Sequence, residues 1–202
     1  KKDRFVTDNL QNDMCEINVQ VQRMSEIISH MKIFTRSSVG YPKERLNINI
    51  IIDGVLNFFR EQFKENKIEI YVELSREMAY ILGDSLRLEQ LFINLITNAR
   101  DAVEKSKKGM KIIKIKTDEV NKNESDFVLF QVYDNGDGIE DQLTKKIFQP
   151  FFTTKEPGKG TRLGLAVVNK IVEDHKGFIE FDSKENLGTT FNIYLPVENS
   201  LR

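Results

Sequence analysis

Tyr133–Val168 reads YDNGDGIEDQLTKKIFQPFFTTKEPGKGTRLGLAVV and combines two glycine-rich turns, a cluster of phenylalanines and the start of a helix. The run Phe127–Val132 before it is apolar without helical spacing, which predicts a β-strand that ends at Asp134. Gly136 and Gly138 then allow the backbone to take a positive φ and to approach another group closely. A strand that ends in such a turn indicates a ligand-binding site.

A second group of glycines, at Gly158, Gly160 and Gly164, precedes a helical pattern of apolar residues in 163–175. This spacing brings backbone N–H groups and a helix N-terminus together, which is an arrangement that binds phosphate. A Walker loop does not occur in the sequence, and Leu163 stands where the dinucleotide and protein-kinase loops require glycine. Each cluster by itself also fits ordinary loop glycines.

Ser85–Lys105 is predicted to be a helix with one buried face. Its apolar stripe consists of Leu88, Leu91, Phe92, Leu95, Ile96 and Ala99. Asn94 and Asn98 lie one helical turn apart beside this stripe, although asparagine is a mediocre helix former. One interpretation is structural, with the two amides bridging neighbouring elements. The other is that their oxygens reach a Mg²⁺ ion bound to phosphates, because hard Mg²⁺ prefers oxygen ligands.

Residues 40–202 are predicted to form one α+β domain, a two-layer sandwich with a mixed, mostly antiparallel sheet. Helices are predicted at 51–63, 85–105 and 163–175, and strands at 46–48, 68–75, 80–82, 111–117, 127–134, 178–183 and 189–196. The polar stretch 118–126 is predicted to be a loop between two antiparallel strands. Helices are expected to cover one sheet face and to leave the other largely exposed.

The order of these motifs resembles the ATP-binding domain of sensor histidine kinases, in the superfamily shared with gyrase, Hsp90 and MutL. The resemblance covers residues 45–197. NLITNARDA is similar to the family's N box, DNGDGI to its first glycine box, FQPFFTTK to its phenylalanine box and GKGTRLGLAVV to its second glycine box. The resemblance implies the Bergerat-type fold, preceded by a long helix, and it implies that ATP and Mg²⁺ are the cofactors.

Individual residues of this chain receive roles from the resemblance. Asn98 is implied to coordinate Mg²⁺ on the ATP phosphates, and Asp134 to accept a hydrogen bond from the adenine amino group. Asn94 and Lys155 are implied to be catalytic. The other nucleotide-binding residues that it implies are Asp101, Gly136, Gly138, Ile139, Phe148, Phe152, Thr154, Gly158, Lys159, Gly160, Thr161, Arg162, Leu163, Gly164, Leu165 and Thr189.

The resemblance also implies how parts of this set are arranged. Gly136 and Gly138 would shape the adenine pocket, with Thr189 near the base. Residues 160–164 would lie over the triphosphate. The implied anchors of a mobile lid are Phe148, Phe151 and Phe152.

Arg162 departs from the second glycine box, which usually reads Gly-x-Gly-Thr-Gly-Leu-Gly-Leu with glycine at this position. An arginine cannot easily adopt a glycine-only backbone conformation. Its guanidinium, however, can pair with phosphate oxygens. We therefore expect an altered lid that still permits nucleotide binding.

The composition is that of a globular protein, with 202 residues, 40% of them hydrophobic, 30% charged, and a net charge of −1. This balance gives no electrostatic reason to expect nucleic acid or an anionic membrane as a partner. The single cysteine, Cys15, fits a reducing compartment, so a cytoplasmic location is expected. No apolar run reaches membrane-spanning length. Because the chain starts at Lys1 without methionine, it is expected to be a fragment, attached to a membrane only through an upstream region.

Residues 1–39 are predicted to form a dimerisation helix that is separate from the domain at 40–202. The apolar residues of this segment have heptad spacing and are Leu10, Met14, Ile17, Val21, Met24, Ile28 and Met31. Such a stripe predicts a homodimer through a partner helix, although packing along the second domain is an alternative. The resemblance identifies this segment as the second helix of a dimerising hairpin. The first helix of that hairpin would precede Lys1.

His30 and His175 are both predicted to be structural. His175 follows the helix of the second glycine box. His30 is followed by Met31, whereas an acidic residue normally follows the phosphoacceptor histidine of the kinases that the chain resembles. By the resemblance, the phosphoacceptor lies on the first hairpin helix. The isolated chain is therefore not expected to phosphorylate itself.

These features predict the catalytic portion of a sensor histidine kinase, which transfers the γ-phosphoryl of MgATP to a histidine for relay to a response regulator receiver domain. One alternative is an ATP-hydrolysing conformational clamp of the gyrase, Hsp90 or MutL type. Another is a nucleotide-binding module without catalysis, an alternative that Arg162 leaves open.

Overall fold

The computed structural model describes residues 43–152 and 163–198 of the chain. Its elements, in chain order, are β1 (Glu44–Leu46), α1 (Ile48–Glu65), β2 (Ile68–Glu73), β3 (Ile81–Gly83), α2 (Ser85–Lys105), β4 (Lys111–Lys122), β5 (Ser125–Asp134), a 3₁₀ turn (Asp141–Leu143), α3 (Gly164–Asp174), β6 (Phe178–Lys184) and β7 (Gly188–Pro196). The predicted dimerisation helix lies outside the described residues. In the described ranges, no helix combines the length and the hydropathy that are needed to cross a membrane.

Five strands form the main sheet in the order β2-β4-β5-β7-β6. The pair β2–β4 is parallel, and the other three pairs are antiparallel. The predicted mixed, mostly antiparallel α+β fold is therefore confirmed. β1 and β3 form a separate two-stranded antiparallel ribbon, which the sequence patterns did not distinguish from the main sheet.

Helix α2 has the bounds that were predicted for it. Its N-cap is Asp84, whose side chain accepts hydrogen bonds from the backbone N–H groups of Leu86 and Arg87 at 3.0 and 3.3 Å. The side chains that α2 buries are Leu88, Leu91, Phe92, Leu95, Ile96, Ala99 and Val103. Phe92 meets Phe130 of β5, with ring centroids 4.6 Å apart. The predicted apolar stripe thus packs against the centre of the sheet.

The helix-free face of the sheet is only partly exposed. Phe178 and Tyr194 stack on it with centroids 4.5 Å apart, and the Lys122 ammonium lies 4.0 Å from the Tyr194 ring centroid. Glu180 pairs with this ammonium and accepts a hydrogen bond from the Tyr194 hydroxyl. These aromatic and charged side chains cover one another, which leaves Tyr194 only 6% exposed.

The prediction of a polar loop at 118–126 was wrong. β4 continues to Lys122, β5 begins at Ser125, and a two-residue turn joins them. Both turn residues, Asn123 and Glu124, have positive φ values of 51° and 64°. Turns of that hand match the twist of paired strands, so the hairpin continues through polar residues.

The predicted strand at 46–48 was also misplaced. β1 ends at Leu46, and Ile48 is already the first residue of α1. Asn47 is the N-cap of this helix, because its side chain accepts a hydrogen bond from the N–H of Asn49 at 3.0 Å. A short polar side chain at a helix start favours this early beginning of α1.

Candidate functional site

Asn94 and Asn98 of α2 face the N-terminus of α3. A Cβ atom on Gly164 would lie 3.7 Å from Oδ1 of Asn94 and 3.9 Å from Nδ2 of Asn98. The Nδ2 group of Asn94 is buried and has no hydrogen-bond partner among the described residues. Buried polar groups normally have partners. The unpaired amide of Asn94 therefore lies beside the N-terminus of α3.

The carboxyl group of Asp134 ends β5 inside the domain, where the residue is 5% exposed. Its Oδ1 accepts a hydrogen bond from the N–H of Gly136 at 2.9 Å. Burial raises the pKa of Asp134 to about 6, against the lowering effects of the Gly136 N–H, the Lys108 charge and the Thr189 backbone. A carboxylate has about four acceptor sites, so this one retains capacity for a further donor.

The first glycine turn is held between α2 and the turn that joins β6 to β7. A Cβ atom on Gly136 would be 2.8 Å from the Cβ of Ala102 in α2. Gly138 has a φ of 74°, and a Cβ atom there would collide with the backbone carbonyl of Lys184. The N–H of Asn186 donates to the carbonyl of Asp137 at 2.7 Å. Both glycines are thus required by close packing within this chain.

Ser183 belongs to this site, although no local pattern in the sequence indicated it. Its Oγ accepts a hydrogen bond from the N–H of Ile139 at 2.8 Å and lies 2.9 Å from Oγ1 of Thr189. Thr189 is directly opposite Asp134 in the β5–β7 register. Gly188, with a φ of 124°, has its Cα against the Asp134 carbonyl, where a Cβ atom would collide. Three predicted site residues and two unpredicted ones therefore meet at the end of β5.

The phenylalanine box divides into packed and exposed rings. Phe148 lies 5.8 Å from Phe181 and 6.5 Å from Phe191, measured between ring centroids. Phe152 is partly buried against the same core. Phe151 is 70% exposed and has a φ of 66°, which is uncommon for a residue with a bulky side chain. Phe148 and Phe152 thus attach to the core the segment that leads to residue 153.

The remaining predicted site residues lie on both sides of the undescribed segment. Leu163 is 2% exposed, and its carbonyl accepts the N–H of Val167 at 2.8 Å. Leu165 packs partly against the core. Asp101 pairs with Arg100 at 2.8 Å. The predicted residues outside the described ranges are Thr154, Lys155, Gly158, Lys159, Gly160, Thr161 and Arg162.

Two polar contacts join the start of α2 to the end of α3. Nε2 of His175 accepts a hydrogen bond from the N–H of Asp84 at 3.1 Å, while Nδ1 of the ring donates to the Ile171 carbonyl at 2.8 Å. Arg87 pairs with Asp174 at 2.5 Å, and both side chains are nearly buried. His175 therefore has a structural position, as was predicted, and the two contacts fix the helices that carry the N box and the second glycine box.

Comparison with known proteins agrees with this arrangement. The sequence profile of the family described as histidine kinase-, DNA gyrase B-, and HSP90-like ATPase matches residues 83–199. The two-component sensor PprA of Pseudomonas aeruginosa is 33% identical over 192 residues, which cover 94% of this chain and 20% of PprA. The chain thus spans about a fifth of the length of this relative.

Solved structures of histidine kinases are similar as well. The nucleotide-free catalytic domain of histidine kinase ThkA has a TM-score of 0.66 and 33% identity, and the match covers 78% of this chain and 97% of that domain. ThkA in complex with the response regulator protein TrrA has a TM-score of 0.71 and 28% identity, covering 92% of this chain and 51% of that one. The chain belongs to the histidine kinase-, DNA gyrase B-, and HSP90-like ATPase family and contains the ATP-binding domain of a sensor histidine kinase.

Proposed function

We propose that the chain binds MgATP and that the whole protein transfers the γ-phosphoryl group to a histidine, for relay to a response regulator. The observation that carries the proposal is the unpaired amide of Asn94 beside Gly164, at the N-terminus of α3. A helix N-terminus favours anions, and an unpaired buried donor favours an acceptor. Phosphate oxygens meet both requirements.

Adenine recognition is assigned to Asp134. Its buried carboxylate accepts hydrogen bonds but cannot donate them while it is ionised. The exocyclic amino group of adenine supplies a donor, whereas guanine presents a carbonyl oxygen at the equivalent place. Burial makes an unpaired acceptor costly, so the site favours adenine over guanine.

Magnesium fits the oxygen donor of Asn98. Among the residues that the structure describes, no group of three or more His, Cys, Asp or Glu side chains could hold a metal ion. A metal beside Asn98 would therefore take most of its ligands from phosphate and water, as Mg²⁺ commonly does. When bound, the ion offsets the negative charge of the phosphates. The chain's own contribution is to hold the amide in place on α2.

Phosphoryl transfer, rather than hydrolysis, is favoured by the chemistry of Asn94. In the hydrolysing members of the superfamily that this chain resembles, the equivalent helix position is usually a glutamate that activates water. An amide cannot act as a general base near neutral pH. The role proposed for Asn94 is to position phosphate, with Lys155 as a second catalytic residue on the sequence resemblance alone.

The partners and the domain division are proposed on less direct grounds. ThkA has been solved in complex with the response regulator protein TrrA, which supports a receiver domain as a partner of this chain. The heptad spacing supports a dimerisation helix at 1–39 and a catalytic domain at 40–202. The phosphoacceptor histidine is proposed to lie on a helix upstream of Lys1.

Calorimetry tests nucleotide binding. ATP and ADP with Mg²⁺ are expected to bind the wild-type chain more tightly than GTP, and Asp134→Ala is expected to weaken adenine nucleotide binding by about tenfold or more, since a hydrogen bond to a charged group contributes about 1.5 to 3 kcal/mol. Asp137→Ala is the matched control, because this exposed residue contacts Asn186 through its backbone carbonyl. Equal affinity for GTP, or an equal loss in both variants, would contradict the assignment.

Phosphoryl transfer is tested separately with labelled ATP. The isolated chain is expected to remain unlabelled. A polypeptide that contains the first hairpin helix is expected to acquire acid-labile label when the chain is added. If this chain is labelled and the label disappears in His30→Gln, the phosphoacceptor is His30, and its proposed location on an upstream helix is wrong.

A further inference from the structure

Lys108 lies beneath the first glycine turn and binds its backbone. Its Nζ donates hydrogen bonds to the carbonyl oxygens of Asn135 and Gly136, at 2.7 and 2.8 Å. No motif that the sequence analysis identified includes this lysine. A lysine ammonium has three donors and no acceptor. Here it is used on two consecutive peptide carbonyls, directly after Asp134.

The loop that carries Lys108 is itself attached at both ends. The backbone N–H of Lys108 donates a hydrogen bond to the Oγ of Ser106, the C-cap of α2, at 3.4 Å. At the other end of the loop, the side chain of Asn135, from the glycine turn, accepts a hydrogen bond from the N–H of Ile112 at 2.8 Å. The same side chain donates a hydrogen bond to the Met110 carbonyl at 2.9 Å. The ammonium group is therefore held in a closed frame that joins the end of α2, the start of β4 and the glycine turn.

The charge of Lys108 favours the ionised form of the Asp134 carboxyl group, whereas burial disfavours it. Each element around Asp134 supplies a different group: β7 supplies the backbone of Thr189, the turn supplies the N–H of Gly136, and the loop after α2 supplies the Lys108 ammonium. α2 contributes the apolar side chain of Ala102, which lies against Gly136. Within the described part of the chain, the positive charge that acts on this carboxylate comes from Lys108. Without it, burial would favour the protonated acid more strongly.

We propose that Lys108 is a positioning residue for adenine recognition, which fixes the first glycine turn through two backbone carbonyls directly after Asp134. This inference rests on the proposed function, because it assumes that Asp134 receives the adenine amino group. The lysine acts on the nucleotide through Asp134. Its two effects, geometric and electrostatic, are separable by substitution.

Three substitutions separate these effects, with one control. Lys108→Met removes both charge and donors, Lys108→Gln keeps a donor without charge, and Lys108→Arg keeps the charge. Lys107→Met is the matched control, since Lys107 is its exposed neighbour. Thermal unfolding of all four variants establishes which of them fold. If Lys108→Met does not fold, the comparison of Lys108→Gln with Lys108→Arg still distinguishes charge from geometry.

The first measurement needs no nucleotide. Carbon-13 NMR of the Asp134 carboxyl gives its titration midpoint in the free protein. The midpoint is expected near the wild-type pKa, about 6, in Lys107→Met and Lys108→Arg, and at a higher pH in Lys108→Met and Lys108→Gln. An unchanged midpoint in Lys108→Met and Lys108→Gln would overturn the electrostatic part of the inference, whether or not the chain binds ATP.

The second measurement is the pH dependence of MgADP binding. Affinity in the wild type is expected to fall as the pH drops through about 6, because protonation removes the carboxylate that accepts the amino group. In Lys108→Met this fall is expected to begin at a higher pH, with binding about tenfold weaker at neutral pH. A uniform loss of affinity without a shifted profile would mean that Lys108 has only a structural role. No binding by the wild type would instead reject the proposed function.

Discussion

Gly83 lies directly against the imidazole ring of His175. A Cβ atom on Gly83 would be 2.8 Å from both Cδ2 and Nε2 of the ring, and 3.2 Å from Cδ1 of Leu88. The missing side chain lets the ring reach the N–H of Asp84, at the start of α2. Gly83 therefore determines how the end of α3 meets the helix that carries the N box.

Gly83→Ala is expected to destabilise the domain by about 1 to 3 kcal/mol, since an added methyl group would displace a buried ring. Gly54→Ala is the matched control, because a Cβ atom on Gly54 would meet nothing within 4 Å. This exposed helical position is expected to gain about 0.5 to 1 kcal/mol. Urea denaturation of both variants tests the pair. Equal stability of Gly83→Ala and the wild type would show that the ring can move away at no cost.

His175 is expected to make stability depend on pH. Burial lowers its pKa, and the charges of Arg87 and Lys43 add to this effect, against the Ile171 carbonyl and Asp84. Because the folded pKa is below the unfolded value of about 6.5, the unfolded state binds more protons below that pH. The stability due to the neutral ring is thus present above about pH 6.5 and is lost as the pH falls through it.

The variant His175→Gln isolates this effect from other titrating groups. It is expected to be less stable than the wild type at about pH 8, with the difference narrowing toward about pH 5. The free energies of unfolding at several pH values provide the measurement. A difference that stays constant over this range would exclude a neutral, hydrogen-bonded His175 as the origin of the pH dependence.

Asp134→Asn is expected to stabilise the domain while weakening adenine binding. The pKa of Asp134 is raised to about 6 in the fold, so the ionised group opposes folding above that pH. The difference from its ordinary value corresponds to at most about 3 kcal/mol. The gain is expected to be full above about pH 6 and to diminish as the pH falls toward about pH 4, below which the wild-type carboxyl is protonated in both states.

Thermal unfolding and calorimetry with MgADP, performed on the same Asp134→Asn sample, measure both effects. In this variant, the amide oxygen of the new asparagine accepts the hydrogen bond from the Gly136 N–H. Its NH₂ group then points toward the adenine amino group, and two donors repel each other. A variant that is destabilised at neutral pH would contradict the view that burial of the charge is costly here.

ATP hydrolysis by the purified chain is expected to be slow, because the amide of Asn94 cannot activate water. A phosphate-release assay at saturating MgATP gives the rate for the wild type and for Asn94→Ala. Both are expected to be near the background of the assay. Rapid turnover by the wild type that is lost in Asn94→Ala would favour the conformational-clamp interpretation.

The chain is expected to dimerise through its N-terminal apolar stripe. Each buried apolar side chain contributes roughly 1.5 to 3 kcal/mol before conformational entropy is deducted. Sedimentation velocity is expected to show a dimer for the wild type and a monomer for the double variant Met24→Glu, Ile28→Glu. If the two proteins sediment alike, the stripe is not the interface.

Local signals predicted much of the fold and a part of the site. The helix α2 was predicted from its apolar stripe, and the close backbone approach at Gly136 and Gly138 was predicted from two glycines that directly follow a strand. Ser183 and Lys108 could not be found in the same way, since their contacts join segments that are far apart in the chain. The separate β1–β3 ribbon was missed for the same reason, because strand partners depend on tertiary packing.

The first glycine turn is braced from three directions, by α2, by the loop that carries Lys108 and by the β6–β7 turn. A backbone with so many fixed neighbours loses little further freedom when a ligand arrives, so the entropic penalty of association is small at this turn. The adenine end would therefore behave as a rigid template. Analogues of the base would be accepted or rejected by their outline and donor pattern, without local remodelling of residues 134–139.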